Sequence, residues 1–380
     1  MLRKAAKGIL VSSYFILLVI FLAASFTPSL NPSRWWWVGF TGLIFPYLLL
    51  AVFIFTIVMI FYRPRISLLG IVALLISYQD IGALIAFHWP KAFQMEKKAS
   101  HFRLMTWNVR RFTPFMEDKF NPKNNNVDAI INEVNKYSPD ILCFQEFYSG
   151  PSKHEMNLDR IKKECGFGYQ IYSSAGSFSM KVGSGTVIFS KFPVLKAYEY
   201  QLPDNIATAS ETPVFADILL SDDTIRVGTV HMQSYGFMGK DYVNLSKIKN
   251  QEDTNLQASR KIFKKMQNAF SQRGKQADIM RLKIEESQHP TIVCGDLNDV
   301  PNSYAYFKVK KDMKDAFLEK GSGLGKSYFS RQSKSLAWMP TLRIDYIFAD
   351  KSFIIDQFTM VTKQLSDHRG LVTDIEVPKK

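Results

Sequence analysis

Cysteine is scarce in this chain, and that scarcity excludes one class of protein at once. Three cysteines among 380 residues cannot form a disulfide-stabilised scaffold, and their odd number leaves at least one thiol unpaired within the monomer. Cys143 and Cys294 lie within apolar strand-like runs, so we predict that both are buried free thiols. Cys165 lies near a predicted helix end and is expected to be partly exposed.

Glycine and proline are also few. Counts of 20 and 16 exclude collagen-like and proline-rich chains, and a hydrophobic share of 47% excludes an intrinsically disordered one. The sequence shows no internal repeat and no low-complexity tract. Its length therefore fits one large domain or two ordinary ones.

Acidic residues are the minority among the charged ones. The chain has 34 Asp and Glu against 48 Lys and Arg, a formal net charge of +14. Seven basic and two acidic residues in 1–96 give +5, and 41 and 32 in the remainder give +9. The larger part is thus basic without being a polycation, which fits ordinary solubility and attraction to an acidic substrate equally well.

Long apolar runs are confined to the first ninety residues. Three of them occur, at about residues 8–26, 35–62 and 66–89. The shortest has 19 residues, which as a helix spans about 28 Å, close to the ~30 Å hydrocarbon core of a bilayer. The second opens with Trp35, Trp36 and Trp37, which suit the headgroup zone. We predict a membrane region over residues 1–90 with three transmembrane helices.

The short loops between these runs predict the orientation. Basic residues precede the first run and lie at Arg63 and Arg65 between the second and third, whereas Arg34 is the only charge between the first two. The positive-inside rule then places the protein in the cytoplasmic (inner) membrane, with everything after the third span on the extracytoplasmic side. A first span cleaved as a signal peptide near Ala24 leaves this side unchanged. Asp80 in the third run is assigned to helix packing or to the interface rather than to a proton relay.

A polar linker over residues 91–101 leads into a soluble domain, residues 102–380, of a different kind. Its apolar runs alternate with helical patterns such as 126–137 and 255–287. Strands are predicted at 102–109, 140–145, 186–190, 214–220, 225–231, 291–294, 344–349 and 371–377. This alternation predicts an α/β fold in which two mixed β-sheets pack together and are flanked by helices.

Polar side chains follow several of these strands at the points where they end. They are Asn108, Glu146, His231, Asp296, Asn298, Asp345, Asp367 and His368. Each alone has an ordinary explanation, because Asn and Asp form turns and a buried His is more often structural than a ligand. Strand ends nevertheless gather sites in α/β proteins, since the sheet holds the loops rigidly.

Together these residue types suit phosphoester hydrolysis. Mg²⁺ prefers oxygen ligands, which Glu146 and Asp367 offer. Water attacking phosphorus needs a base that titrates near neutrality, such as a His whose tautomer an acid like Asp345 would fix. Asn298 and His231 could donate hydrogen bonds to the oxygens that gather charge in the transition state.

The motifs WN, QE, GSGTVIFSKFPV, VH, GDLN, RIDYIF and SDH occur in this order from about residue 102 to residue 377. In this order they resemble the endonuclease/exonuclease/phosphatase superfamily, which includes abasic-site endonucleases, pancreatic-type deoxyribonuclease, neutral sphingomyelinases and inositol-polyphosphate phosphatases. The resemblance implies a four-layer α/β sandwich and a hydrolase that uses Mg²⁺ or Mn²⁺. The three-span head lies outside the motif set and is similar to membrane-tethered bacterial members.

The resemblance also implies a role for each candidate residue. Glu146 would be the principal metal ligand, placed with help from Asn108, and Asp367 a second carboxylate on the metal side. His368, paired with Asp345, would be the general base. The remaining three would contact water and the scissile phosphate: Asp296, Asn298 and His231. His231 matches the nuclease and sphingomyelinase branches, and Asp296 is the alternative base.

The substrate stays open between several classes. A membrane-anchored, endonuclease-like phosphodiesterase is favoured, for which the basic residues Lys240, Lys247, Lys249, Arg260, Lys264 and Lys265 could meet phosphates or simply form a solvated helix face. A lipid phosphodiesterase would present exposed aromatic residues to the bilayer, such as Tyr235, Phe237 or Met238. A phosphatase acting on a small molecule and a non-catalytic anion- or partner-binding domain are the further alternatives.

Overall fold

The computed structural model of the chain has a helical N-terminal region and a β-rich domain. It describes residues 2–117, 121, 125–152, 156–174, 183–202, 211–221, 223–237, 239–253, 256–330 and 341–377, without the side chains of residues 2–6 and 249. Met238 lies outside these residues.

Two N-terminal helices are long and apolar enough to cross a membrane. They are α1 (Leu2–Phe26) and α2 (Val38–Tyr62), joined by a loop that contains a 3-10 helix at Thr27–Ser29 and the three tryptophans. The first two predicted apolar runs therefore correspond to α1 and α2. Trp35–Trp37 precede α2 instead of opening it, because the helix begins at Val38.

The third predicted run, 66–89, differs from a straight span. It forms α3 (Pro64–Ile76) and α4 (Tyr78–Leu84), which meet at an angle of 62°, so the described residues hold two spans, or three if the bent pair counts as one. The break lies at Ser77, whose hydroxyl is 2.7 Å from that of Ser25 in α1. The helix also ends before residue 89, because β1 (Ala86–Phe87) pairs with β11 (Ser322–Gly323) of the soluble domain.

Two six-stranded sheets form the soluble domain. In the first the order is β13 (Ile354–Met360), β14 (Leu371–Glu376), β2 (His101–Asn108), β3 (Ile141–Ser149), β5 (Gly183–Ser190), β4 (Tyr169–Ser174). In the second it is β10 (Lys314–Asp315), β12 (Asp345–Ala349), β9 (Thr291–Asp296), β8 (Asp223–His231), β7 (Glu211–Leu220), β6 (Val194–Glu199). Each sheet contains one parallel pair, β2 with β3 and β8 with β9, and both sheets are therefore mixed.

Helices cover both outer faces of this pair of sheets. The helices of the domain are α5 (Val127–Tyr137), α6 (Asn157–Glu164), α7 (Gly239–Lys249), α8 (Gln257–Glu285), α9 (Tyr304–Lys310) and α10 (Ala316–Lys320). Side chains such as Leu104 and Cys143 of one sheet pack against Val227 and Cys294 of the other. The fold is the predicted four-layer sandwich, and Cys143 and Cys294 are buried free thiols, as predicted.

The parallel pairs decide where the site forms. Parallel strands end at the same edge of a sheet, and Asn108 pairs with Gln145 while His231 pairs with Asp296. The antiparallel β12 starts where β9 ends, so that Asp345 lies opposite Asp296. The edge where these strands end therefore collects the predicted polar residues from both sheets.

Candidate active site

The eight predicted residues come together at this edge of the sandwich. A continuous set of contacts links seven of them, from Asn108 and Glu146 through Asp296 to His368, and Asp367 is the chain neighbour of His368. Most of these side chains are buried, but Glu146 and Asp367 keep 29% and 21% of their side-chain surface exposed. The exposed pair marks the open side of the cluster.

A β-bulge aims the side chain of Glu146 into the cluster. The pairing of β3 with β5 shifts register between Phe144 and Phe147, and Glu146 has a left-handed φ of 48°. A non-glycine residue in this conformation is strained, and such strain is concentrated at functional sites. The Nδ2 atom of Asn108 donates to Oε1 of Glu146 and to Oδ2 of Asp296, each at 3.1 Å. One amide thus draws two carboxylates together.

His368 and Asp345 form a dyad. The Nδ1 atom of His368 lies 3.0 Å from both carboxylate oxygens of Asp345, and its Nε2 atom faces Asp296 Oδ2 at 3.7 Å. The loop that carries His368 is held by Trp107, whose Nε1 atom donates to the His368 carbonyl oxygen at 2.9 Å. The hydroxyl of Ser366 holds the same loop to the carbonyl oxygen of Asn108. The imidazole therefore has one orientation, with Nε2 directed into the site.

The turn after β9 orients Asp296 and Asn298. The backbone N–H of Asn298 donates to Asp296 Oδ1 at 2.7 Å, and the Asn298 side chain donates to the carbonyl oxygen of Met232 at 2.9 Å. Asn298 has a φ of 53°, a second left-handed residue in the site. Gly295 has a φ of +124°, and a Cβ there would meet the carbonyl oxygen of Val230 at 2.2 Å. The turn therefore requires glycine before its aspartate.

His231 lies among three carboxylates. Its Nε2 atom is 3.9 Å from Glu146 and 3.8 Å from Asp296, and its Nδ1 atom is 3.3 Å from Glu211. Burial disfavours its charged form, but the charges of these three groups, led by Glu211, raise the pKa of His231 to about 9. The same balance of burial against Asp345 and Asp296 raises the pKa of His368. Burial also raises the pKa of Asp296, to about 6, although both histidines oppose this.

Asp367 has different neighbours from those that a metal ligand beside Glu146 would have. Among the described side chains it contacts Arg110, 3.6 Å from its Oδ2 atom, and the hydroxyl of Ser366, instead of Glu146 or Asn108. Its predicted role as a second metal-side carboxylate stays a prediction.

The donor set fits a divalent cation. Asp296, Asp345 and His368 each offer one atom within 4.8 Å of the others, and Glu146 lies beside them through Asn108. Both oxygens of Asp345 already face His368, so the free positions are on Glu146 and Asp296. A group of carboxylates that raises the pKa of two neighbouring histidines has an excess of negative charge. A hard cation with oxygen ligands would balance that excess.

The comparisons with known proteins agree with this geometry. The model of the endonuclease/exonuclease/phosphatase family matches residues 105–368, a range that runs across all eight predicted residues. The chain belongs to this family. The match confirms the family that the sequence motifs suggested. Members of this family hydrolyse phosphoester bonds and typically use a divalent metal.

Solved structures show the same fold. Family proteins from Beutenbergia cavernae and Bacteroides thetaiotaomicron are 17% and 14% identical to the chain, with TM-scores of 0.51 and 0.52. Each match covers 73% of this chain, and 72% and 98% of the other. TDP2 of D. rerio, solved with a single-strand DNA product, is 17% identical with a TM-score of 0.50 over 73% of this chain and 99% of its own. A domain of unknown function matches residues 7–84. No curated protein matches the chain.

Sequence reasoning missed two groups of the site. Glu211 accepts a hydrogen bond from the backbone N–H of Glu146 at 2.8 Å and lies beside His231. Tyr328 packs its ring against that of His368, with 5.0 Å between centroids. Glu211 is the cross-strand partner of His231 only because β7 contains a bulge between residues 211 and 214. Pro213 is the signal that could have indicated this bulge, because proline within a sheet is confined to edge strands, strand starts and bulges.

Proposed function

We propose that this family member is a phosphodiesterase that depends on Mg²⁺ or Mn²⁺ and uses the His368–Asp345 dyad to activate water. The observation that supports this best is the geometry of the dyad: Nδ1 of His368 is held by both oxygens of Asp345, and Nε2 faces Asp296 Oδ2 at 3.7 Å. A general base needs this orientation, with one nitrogen anchored and the other free to accept a proton.

Each neighbouring side chain has a role in this proposal. Nε2 of His368 in the neutral imidazole takes the proton from the attacking water, and Asp345 stabilises the resulting imidazolium. A divalent cation beside Glu146 would offset the negative charge that raises the pKa of His368 and so favour that neutral form. Asp296 accepts a hydrogen bond from that water and is the alternative base. Asn298 and the cationic His231 stabilise the phosphoryl oxygens. A divalent cation held by Glu146, with Asn108 fixing the carboxylate, would supply further charge stabilisation at the phosphoryl group.

The proposal is tested on the full chain in detergent micelles with bis-p-nitrophenyl phosphate, a soluble diester, and p-nitrophenyl phosphate, a monoester. We expect hydrolysis of the diester that stops with a chelator and returns with Mg²⁺ or Mn²⁺. Turnover that persists without metal, or no turnover of either ester, would refute the proposal. Preference for the monoester would assign the protein to the phosphatases instead.

We also propose that α1, α2 and the bent pair α3–α4 cross the cytoplasmic membrane as three spans, which places the catalytic domain on the extracytoplasmic side. The first two helices have the required length and hydropathy, the bent pair passes the same test when it counts as one span, and the basic residues of the short loops support this orientation. The test is a fluorescent protein that folds only in the cytoplasm, fused after Lys380. We expect the fusion to show no fluorescence, whereas bright cytoplasmic fluorescence would place the catalytic domain in the cytoplasm.

A further inference from the structure

The catalytic domain rests directly on the first turns of α2. Phe263 of α8 stacks on Phe40, with 5.3 Å between centroids, and meets Trp36 edge to face at 5.0 Å. Phe270, two turns further along α8, meets Phe40 at 5.0 Å and lies where a Cβ on Gly39 would clash with its ring. An aromatic cluster therefore holds α8 at the point where α2 emerges.

The same contact reaches the catalytic loops. Beyond Phe270, the Arg273 guanidinium packs on the ring and pairs with Asp299 at 3.0 Å, next to Asn298. Leu43 of α2 packs against a second small cluster formed by Val300, Leu342 and Ile344. These residues flank Asn298 on one side and Asp345 on the other. The catalytic edge of the sandwich is thus the edge that faces α2.

The contacts lie at the level of the membrane surface. Trp35, 51% exposed, and Trp37 precede α2, and tryptophan collects at the interface between headgroups and acyl chains. From Ile44 onward α2 presents large apolar side chains outward over most of its length. Residues 35–43 therefore mark the outer interface of the bilayer, and the catalytic loops contact that same segment.

The surface of α7 and α8 next to the site has the composition of an interfacial surface. Val243, Leu256 and Phe263 are 56%, 55% and 43% exposed. Leu256, Arg260, Phe263 and Lys264 have the spacing of one helix face, and the exposed basic residues around the apolar ones are Lys240, Lys247, Arg260, Lys261 and Lys264. Aliphatic side chains such as Val243 and Leu256 among basic ones are typical of a helix lying on an anionic bilayer, whereas nucleic-acid sites combine basic residues with aromatic rings that stack on bases.

This surface borders the catalytic dyad. Tyr242, adjacent to Val243, lies beside Tyr328, whose ring packs on that of His368. Lys265 of α8 holds α7 in place by donating to Asp241 at 2.7 Å and to the carbonyl oxygen of Gly236. A bilayer lipid touching Val243 therefore lies next to Tyr242 and close to Tyr328, which packs on His368; we call these two tyrosines the mouth of the site.

We infer that the substrate is a phosphodiester carried by a lipid of the bilayer that anchors the chain, taken up at the edge between α7 and α2. The inference rests on the proposed phosphodiesterase function and names its substrate class. The lipid headgroup phosphate reaches the site from the membrane plane, and the α7–α8 surface holds the mouth of the site against the headgroups.

The test uses the full chain in nanodiscs that contain anionic phosphatidylglycerol together with sphingomyelin or phosphatidylcholine. Water-soluble phosphate products are followed by phosphorus NMR, a DNA duplex and a single strand are offered in parallel, and bis-p-nitrophenyl phosphate reports the basal activity. We expect cleavage of at least one of the three lipids at a rate more than tenfold above that of either DNA. Faster cleavage of DNA, or cleavage of the soluble diester alone, would overturn the inference. If no substrate is cleaved, the proposed phosphodiesterase function itself is refuted.

Variants of the α7–α8 surface provide a second test of the inference. Val243→Ser with Leu256→Ser should lower lipid turnover by about tenfold, because two side chains that would enter the interface become polar. Hydrolysis of bis-p-nitrophenyl phosphate should stay unchanged. Leu195→Ser, at an equally exposed leucine on β6, is the matched control and should affect neither reaction. An equal loss in the control, or no loss in the double variant, would contradict docking through this surface.

Discussion

At the scale of single residues, the proposed chemistry depends on the dyad of His368 and Asp345. Its members were predictable because His368 and Asp345 each lie in a short motif at a strand end. Their pairing was predicted only through the family resemblance, because no local pattern links two residues that lie 23 positions apart along the chain. The structure adds the reason for their fixed orientation: Trp107 and Ser366 hold the loop that carries the histidine. We therefore expect the dyad to act as one unit, which mutant kinetics can test.

His368→Ala should lower turnover of bis-p-nitrophenyl phosphate by about 10²- to 10⁴-fold, the usual cost of losing a general base. Asp345→Asn should resemble it, because an amide can hold the imidazole in the wrong tautomer. The double variant should cost scarcely more than the worse single one. Steady-state kinetics of the three variants, with circular dichroism to check folding, measures this. Losses that multiply would show that the two residues act separately, and a fully active His368→Ala would make Asp296 the base.

Glu146→Gln should change the metal requirement more than the chemistry. The variant removes one negative charge from the group around Asn108, so the Mg²⁺ concentration for half activity should rise by about tenfold or more. Turnover at saturating Mg²⁺ should fall much less. Titration of activity with Mg²⁺ measures both, with Glu319→Gln, an exposed glutamate on α10, as the control. An unchanged titration curve would place the cation elsewhere, at the cluster of Asp296 with the dyad.

At the scale of elements, the central strands and their order along the chain follow from the sequence, but the edge strands β4, β6 and β13 and the shape of the site do not. Alternating apolar runs predicted the central strands to within a few residues. The bulge that places Glu211 beside His231 lies in the β7–β8 hairpin and has a local sign in Pro213, whereas the bulge that turns Glu146 inward depends on pairing with β5, beyond α6 and β4. The break of the third apolar run at Ser77 has the same origin, since it depends on a contact with α1. Local pattern cannot register such tertiary effects.

The end of β9 offers a test at this scale. Gly295→Ala should destabilise the catalytic domain by about 2 kcal/mol or more, because alanine is strained at a φ of +124° and its Cβ would meet the carbonyl oxygen of Val230 at 2.2 Å. Thermal inactivation of the diesterase activity measures the effect. Gly168→Ala is the control, since its nearest neighbour lies at 3.8 Å. Equal inactivation temperatures for the two variants would mean that the turn after β9 accommodates alanine with little loss of stability.

At the scale of the whole molecule, the sequence separated a membrane region from a catalytic domain and treated the junction as a polar linker. The structure instead joins them at several places. Backbone oxygens of Gln94 and Met95 accept hydrogen bonds from the buried Arg103, so residues of the predicted linker lie on the domain. Asn302 donates to the carbonyl oxygen of Asp80, and Arg343 to that of Ala83. No sequence signal marks the last two pairs, because each joins residues more than two hundred positions apart.

A further close approach between α2 and the catalytic domain makes the final prediction. A Cβ on Gly42 of α2 would lie 2.6 Å from the backbone oxygen of Asn302, which cannot move aside as a side chain can. Gly42→Leu should therefore displace the loop that continues from Asn298. Because displacements of about 1 Å in a catalytic group can cost 10²-fold in rate, diesterase turnover should fall by at least about tenfold. Gly8→Leu in α1 adds the same side chain where nothing lies within 4 Å, and it should leave diesterase turnover unchanged. Turnover in nanodiscs measures both variants. Full activity in Gly42→Leu would mean that the domain works detached from α2, and that the membrane span is a tether instead of a support for the active site.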